Sequence, residues 1–194
     1  MSLSHALLIA AAIVATAVGT ALWRRRLERG DLELALYPEV VGLHRQAAQL
    51  ATELARRHAQ DPGLWLDEAF FARWRLSAPL VYPAAAGGLG RLSGGARDRV
   101  GYFYAQLAEA RLRLGEARAA GGVIGSPYRL VSNLVRACNH VEPWVGAMER
   151  RLGPSLLARP NLAAANVLLG ALEEAGGEPL VDPWFWADTA YEPD

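Results

Sequence analysis

The chain has 194 residues, of which 52% are hydrophobic, and its 20 basic and 20 acidic residues give a net charge of zero. All 20 basic residues are arginines, which excludes Walker A phosphate binding, Schiff-base chemistry and other mechanisms that need a lysine. Cys138 is the single cysteine, so a disulfide within the chain and a cysteine-rich zinc site are excluded as well. The sequence therefore predicts no catalytic, cofactor-binding or metal-binding residues.

The first predicted element is the uncharged apolar run of residues 6–23. Eighteen helical residues span about 27 Å, close to the ~30 Å hydrocarbon core of a bilayer. Trp23, Arg24, Arg25 and Arg26 end the run in the aromatic-then-basic order that is typical of a cytoplasmic membrane flank. A cleavable signal peptide would carry its positive charge before the run, and a buried helix would need a larger surrounding domain.

Residues 1–29 are accordingly predicted to form a transmembrane anchor with its basic flank. The expected location is the inner membrane of a bacterium, crossed once, with the rest of the chain on the cytoplasmic side. The lipid bilayer is then the first expected partner.

Helical periodicity dominates residues 30–176, which we expect to form one cytoplasmic helical domain. Apolar residues recur at spacings of three and four in two long stretches, one ending near Gln60 and one covering residues 96–119. Two stripes of matching length predict an antiparallel hairpin. The prolines and glycines of residues 77–95 predict short helical turns between them.

Two more helices are predicted after the second stripe. Ser126 and Pro127 are typical of a helix start, and the third long helix should run to Gly153, with Pro143 kinking or splitting it. Pro160 begins a final helix that ends at residues 176–177. The predicted fold class is all-α: an N-terminal transmembrane helix, then an antiparallel helical hairpin or bundle with short helices, and a non-helical C-terminal tail.

The run PLVYPAAAGGLGRLSGGARDRVGYFYAQL follows a long amphipathic helix and resembles a pattern in bacterial single-pass membrane proteins that have no established activity. The residues that carry the resemblance are Pro79, Tyr82, Leu89, Leu92, Phe103 and Tyr104. It covers about 75 residues, mostly packing positions. The resemblance implies a short membrane anchor before a cytosolic helical hairpin, and it implies no reaction.

The densest cluster of reactive side chains is Cys138, His140 and Glu142. On a helix, Cys138 and Glu142 share a face while His140 points about 200° away from Cys138, so the three side chains should not converge on one ion. Cys138 lies on the apolar stripe and is interpreted as a buried thiol. His44 and His58 are about 21 Å apart along their helix and are interpreted as solvated surface residues.

Anionic ligands receive little support from the sequence. The glycines of residues 87–95 could cradle a phosphate, but no other residue supports such a site, and tight turns between helices are the preferred interpretation. The balanced charge and the lack of aromatic residues interleaved with basic ones predict no nucleic-acid partner.

Residues 177–194 form an acidic, aromatic segment punctuated by prolines. From Glu173 to Asp194 there are seven acidic residues and no arginine. The segment either packs its aromatic side chains onto the helical domain or docks on a protein partner, with the aromatics as anchors and the carboxylates as steering charges. The candidate partner-binding residues are Trp184, Phe185, Trp186 and Tyr191.

Two functions remain open at this point. The first is a non-enzymatic, membrane-tethered helical interaction or scaffold protein, with a membrane-proximal protein partner and with dimerisation through the apolar stripes. The second is a small membrane-anchored enzyme or ligand-binding domain with a pocket among aromatic side chains. Its lining would be Trp65, Trp74, Tyr82, Phe103 and Tyr104, with Glu68 as a candidate carboxylate.

Overall fold

The computed structural model describes residues 3–61, 66–122, 124, 127–153 and 161–174; for residues 3–27 and 29 it describes the backbone alone. Within these ranges the chain is helical and contains no strand. The α-helices are α1 (Leu3–Gln60), α2 (Glu68–Arg73), α3 (Val81–Ala84), α4 (Gly94–Ala119), α5 (Pro127–Leu152) and α6 (Ala163–Glu174). A 3₁₀ helix, Ala86–Arg91, lies between α3 and α4.

Local sequence signals set the ends of these helices. The carboxylate of Asp67 accepts a hydrogen bond from the Phe70 N–H at 2.7 Å and caps α2, and the Ser93 hydroxyl accepts one from Ala96 N–H to cap α4. After α4 and α5 the chain adopts a left-handed conformation at Gly121 (φ 70°) and Gly153 (φ 94°). This conformation suits glycine because it carries no Cβ, and it ends both helices.

Helix α5 is the central element of the bundle. It packs along α4, along the second half of α1 and against α6. It runs antiparallel to α1, because the Cys138 thiol donates to the His44 carbonyl at 3.7 Å while Arg151, near the end of α5, pairs with Glu33. Its fully buried side chains include Val131, Leu134, Cys138 and Val141.

The sequence correctly predicted α4, α5 and the end of α1, but it paired two of the long helices wrongly. We expected α1 and α4, whose stripes match in length, to form the hairpin. In the structure α4 forms the antiparallel hairpin with α5, and α1 packs mainly on α5. The reason is that α5 buries residues on more than one side and can serve two neighbours, whereas stripe length carries no information about the partner. Pro143 neither splits nor ends α5.

The N-terminal part of the fold requires a correction. No helix in the described part of the chain is long and apolar enough to cross a membrane. This contradicts the predicted N-terminal transmembrane helix and, with it, the single-pass location in an inner membrane. The prediction treated residues 6–23 as an element of their own, bounded by arginines. The structure instead has one uninterrupted helix from Leu3 through the arginines to Gln60, and the second half of this helix is packed in the bundle.

The core prediction can be tested at Phe103, which is fully buried on α4. Replacing it with alanine removes most of its contacts and leaves a cavity, so Phe103→Ala should lower the free energy of unfolding by about 3–5 kcal/mol. Leu112 on the same helix is 55% exposed, and Leu112→Ala should change it by less than about 0.5 kcal/mol. Urea denaturation followed by circular dichroism measures both. Equal losses in the two variants would contradict the assignment of the core.

Candidate functional site

A line of polar side chains runs along α1 beside its buried stripe. Glu39, Gln46 and Glu53 follow one another at intervals of seven residues, which places them on one face of the helix. Glu39 and Gln46 bind residues 66–92 directly, and Glu53 does so through Arg57. This stretch contains α2, α3 and the 3₁₀ helix, and we call it segment 66–92. The polar line holds this segment against α1.

Glu39 makes the densest set of contacts in the line. Its Oε2 accepts hydrogen bonds from the backbone N–H groups of Leu80 at 2.5 Å and Val81 at 2.6 Å, and its Oε1 accepts one from Tyr82 N–H at 3.1 Å. The Tyr104 hydroxyl on α4 donates to Oε1 at 2.7 Å. One carboxylate therefore satisfies the free N–H groups at the start of α3 and ties α1, α3 and α4 together.

The charge state of this carboxylate follows from the same contacts. Partial burial raises the pKa of Glu39, but the hydrogen bonds from Val81, Tyr104, Leu80 and Tyr82 outweigh burial and hold its pKa below 4.5. Burial, followed by the hydrogen bond to Glu39, raises the pKa of Tyr104 well above 10. At neutral pH the pair is therefore an ionised carboxylate that accepts a hydrogen bond from a neutral phenol.

The other two members of the line hold the rest of the segment. The Gln46 Oε1 accepts a hydrogen bond from Ser77 N–H at 2.9 Å. Glu53 pairs with Arg57 at 3.0 Å, and the Arg57 guanidinium reaches Asp67 at 3.6 Å and lies 4.9 Å from the centre of the Phe70 ring. Segment 66–92 thus runs antiparallel to α1 and is attached to it at three points, through Glu39, Gln46 and Arg57.

Three of the five residues predicted to line an aromatic pocket pack on one another. Tyr82 and Tyr104 stack with ring centres 3.9 Å apart, and Phe103 meets Tyr104 edge to face at 5.4 Å. Trp74 is half-buried at the edge of the core, and Trp65 lies outside the described residues. The faces of the stacked rings contact each other and the Tyr104 hydroxyl is bound to Glu39, so these groups serve packing.

The candidate functional site is built from the solvent-exposed part of the segment. Arg73, Arg75 and Leu80 are exposed and Trp74 is half-buried, and we group them with the exposed Arg111 of α4 under the name Arg73–Leu80 surface. Leu80 is 79% exposed, the highest value among the exposed large apolar side chains of the described residues. Arg73 lies 5.5 Å from the Trp74 ring centre. Arg111 is exposed on α4 and is seven residues from both Tyr104 and Arg118, each of which contacts the segment.

The reactive cluster predicted on α5 separates into different environments. Cys138 is buried, and burial followed by the nearby Glu142 raises the pKa of its thiol to about 12. His140 packs against the Tyr102 ring at 4.4 Å. Glu142 lies 3.4 Å from the Nε2 of His44. His44 is buried between α1 and α5, so its interpretation as a solvated residue was wrong; the apolar stripe of α1 is broad enough to include it.

Several predicted site residues lie outside the part of the chain that the structure describes. The side chains of Trp23, Arg24, Arg25 and Arg26 do so, and so do the candidate partner-binding residues Trp184, Phe185, Trp186 and Tyr191. Glu68, the candidate pocket carboxylate, is exposed and pairs with Arg118.

The sequence analysis missed Glu39 and Gln46, which position the site. The sequence held part of the signal, because each residue lies three positions after a residue of the apolar stripe, Leu36 or Leu43. A seven-residue spacing returns to the same helix face, so the pair could have been placed together beside the buried stripe.

Comparison with known proteins adds no assignment. No protein-family model matches the chain, and neither a curated protein nor a solved structure matches it. The resemblance drawn from residues 43–119 therefore stays a prediction.

The role of the Glu39 charge predicts a pH dependence. A pKa held below 4.5 in the folded state means that Glu39 stabilises the fold above about pH 4.5, and that this stabilisation is lost as the pH falls through the folded-state pKa. Glu39→Gln should lower the free energy of unfolding at pH 7 by about 2 kcal/mol. It should also flatten the decline in stability below pH 4.5. Urea denaturation between pH 3 and pH 7 measures both effects, with Glu174→Gln at the exposed end of α6 as control.

The link between α1 and α4 predicts energetic coupling. Tyr104→Phe keeps the ring stack and removes the donated hydrogen bond, which should cost about 1–2 kcal/mol. In Glu39→Gln the charge that strengthens this bond is gone, so the same tyrosine replacement should cost markedly less. A double-mutant cycle on the free energy of unfolding measures the difference. Strict additivity would show that the two groups do not interact.

Proposed function

We propose that the protein is a helical interaction module that binds a protein partner through the Arg73–Leu80 surface and performs no catalysis itself. The observation that carries the proposal is the exposure of Leu80 on a fixed backbone. Its side chain is 79% exposed while its N–H group is bound by Glu39.

A fixed backbone matters for binding because ordering a loop on association consumes part of the interaction energy. Glu39 and Gln46 hold the backbone of residues 77–82 in the free protein. An apolar anchor presented in this way can enter a pocket of a partner with little further loss of conformational entropy.

The surroundings of Leu80 support recognition of a partner with negative charge. Arg73 and Arg75, which flank Trp74, are exposed, as is Arg111 on α4, and guanidinium groups suit both carboxylates and aromatic rings. The expected partner site combines acidic side chains with an apolar pocket or an apolar anchor of its own.

The test is affinity capture from cells that express the chain, comparing Leu80→Asp with Val167→Asp. Val167 is 74% exposed on α6 and is the matched control. Proteins captured by the unmodified chain should be retained by Val167→Asp and reduced at least tenfold by Leu80→Asp, because a carboxylate replaces the apolar anchor. Unfolding curves must show that both variants are folded. Equal capture by the two variants would reject the Arg73–Leu80 surface as the binding site.

A further inference from the structure

The Arg73–Leu80 surface carries an excess of positive charge. No carboxylate among the described residues forms an ion pair with Arg73, Arg75 or Arg111; the only hydrogen bond that the structure gives these side chains joins Arg75 Nε to the Phe71 carbonyl, at 3.4 Å. The surface therefore offers three guanidinium groups to an incoming anion.

The acidic residues near the surface are already engaged. Glu39 accepts hydrogen bonds from the segment and from Tyr104, Glu53 pairs with Arg56 and Arg57, and Glu68 pairs with Arg118. Between Glu68 and Asp98 the sequence itself contains no acidic residue. The positive charge of the surface is therefore not neutralised locally.

The apolar part of the surface defines the second requirement. Trp74 is half-buried with Arg73 near its ring, and Leu80, six residues later in the same segment, is exposed. An occupant that brings aromatic side chains can pack on Trp74 and Leu80 and can place its rings against guanidinium planes. The surface thus selects a peptide that is both acidic and aromatic.

We infer that the occupant is residues 177–194 of the same chain. This segment has five acidic residues, no basic residue and four aromatic ones: Glu178, Asp182, Asp188, Glu192 and Asp194 carry the charge, and Trp184, Phe185, Trp186 and Tyr191 carry the rings. The inference rests on the proposed binding role of the surface and adds that the chain covers this surface itself.

The length of the chain allows this contact. Helix α6 ends at Glu174, and Glu173 lies 3.6 Å from Arg136 and 3.4 Å from the Tyr128 hydroxyl, near the start of α5. Leu66, at the start of segment 66–92, bonds to Gly122 close to the same end of the bundle. Ten extended residues span about 33 Å, so the stretch from Glu174 to Trp184 can cross most of the length of α5, which is about 39 Å.

Docking within one chain has a regulatory consequence. A tethered segment has an effective concentration of about a millimolar or more, so a weak contact suffices to keep the surface covered. A protein partner must displace the segment before it binds. Residues 177–194 would then raise the partner concentration that is needed for binding.

Hydrogen–deuterium exchange of the full chain tests this inference without any partner. The backbone amides of residues 178–194 should exchange at least tenfold more slowly than those of a synthetic peptide of residues 177–194. In Arg73→Glu/Arg75→Glu they should exchange at the rate of the peptide. Arg45→Glu/Arg150→Glu, which changes two exposed arginines that are not part of the Arg73–Leu80 surface, is the matched control and should keep the slow exchange.

A charge swap tests whether the docking can be restored. Adding Asp182→Arg/Asp188→Arg to Arg73→Glu/Arg75→Glu should restore slow exchange, because the attraction is re-established with opposite signs. Peptides from α5 report in the same data that each variant is folded.

Two results would overturn the inference: exchange of residues 178–194 at the peptide rate in the unmodified chain, or slow exchange that survives Arg73→Glu/Arg75→Glu. Affinity capture with the Leu80 variant detects only binding to other proteins, so a negative result would reject the proposed function and leave the exchange result unaffected. Fast exchange of residues 178–194 would reject the docking of this segment and leave the capture result unaffected.

Discussion

The carboxylate of Glu39 is the contact on which the arrangement of the outer elements depends. It accepts hydrogen bonds from three consecutive backbone N–H groups and one tyrosine hydroxyl, and it thereby fixes the start of the four-residue helix α3, which could not hold its shape alone. Short helices gain little from their own hydrogen bonds, so their position must come from outside. In this protein it comes from one side chain of the longest helix.

The same logic extends to the whole of segment 66–92. It contains few deeply buried side chains, chiefly Leu66, Phe70, Phe71, Leu76 and Leu92. These side chains supply hydrophobic contact, which does not fix the orientation of the segment on α1. The hydrogen bonds and the ion pair with Glu39, Gln46 and Arg57 fix that orientation. Arg73, Arg75 and Leu80 stay exposed. Attachment on one side and exposure on the other suit a surface that binds.

Sequence patterns predicted the helices well because their causes are local. The end of α1 at Gln60, the start of α5 at Pro127 and the turns around residues 81–91 follow from periodicity, proline and glycine. The packing partner of each helix could not be predicted from these local patterns, because the apolar stripe of α1 matches the stripe of α4 as well as that of α5. The prediction of a separate helix over residues 6–23 was wrong for a related reason. The composition of this run does not indicate that it belongs to a continuous helix ending at Gln60.

The candidate site likewise combines features that local sequence patterns reveal with features that depend on long-range contacts. Its arginines and its leucine are visible in the sequence, but no local pattern separates them from the other arginines and leucines of the chain. The aromatic residues were correctly grouped as neighbours in part, since Tyr82, Phe103 and Tyr104 do meet, yet they were expected to line a pocket and instead pack on one another. Their arrangement depends on Glu39, which lies 43 residues before Tyr82 and 65 before Tyr104.

The seven-residue interval between Glu39 and Gln46 also limits how this chain can change over evolutionary time. Inserting or deleting one residue between them would rotate one of the two side chains by about 100° around α1 and take it away from its backbone partner. Loops elsewhere can lengthen or shorten at little cost, but this stretch of helix must keep its residue count. Related sequences, however diverged, should therefore vary here by substitution and not by length.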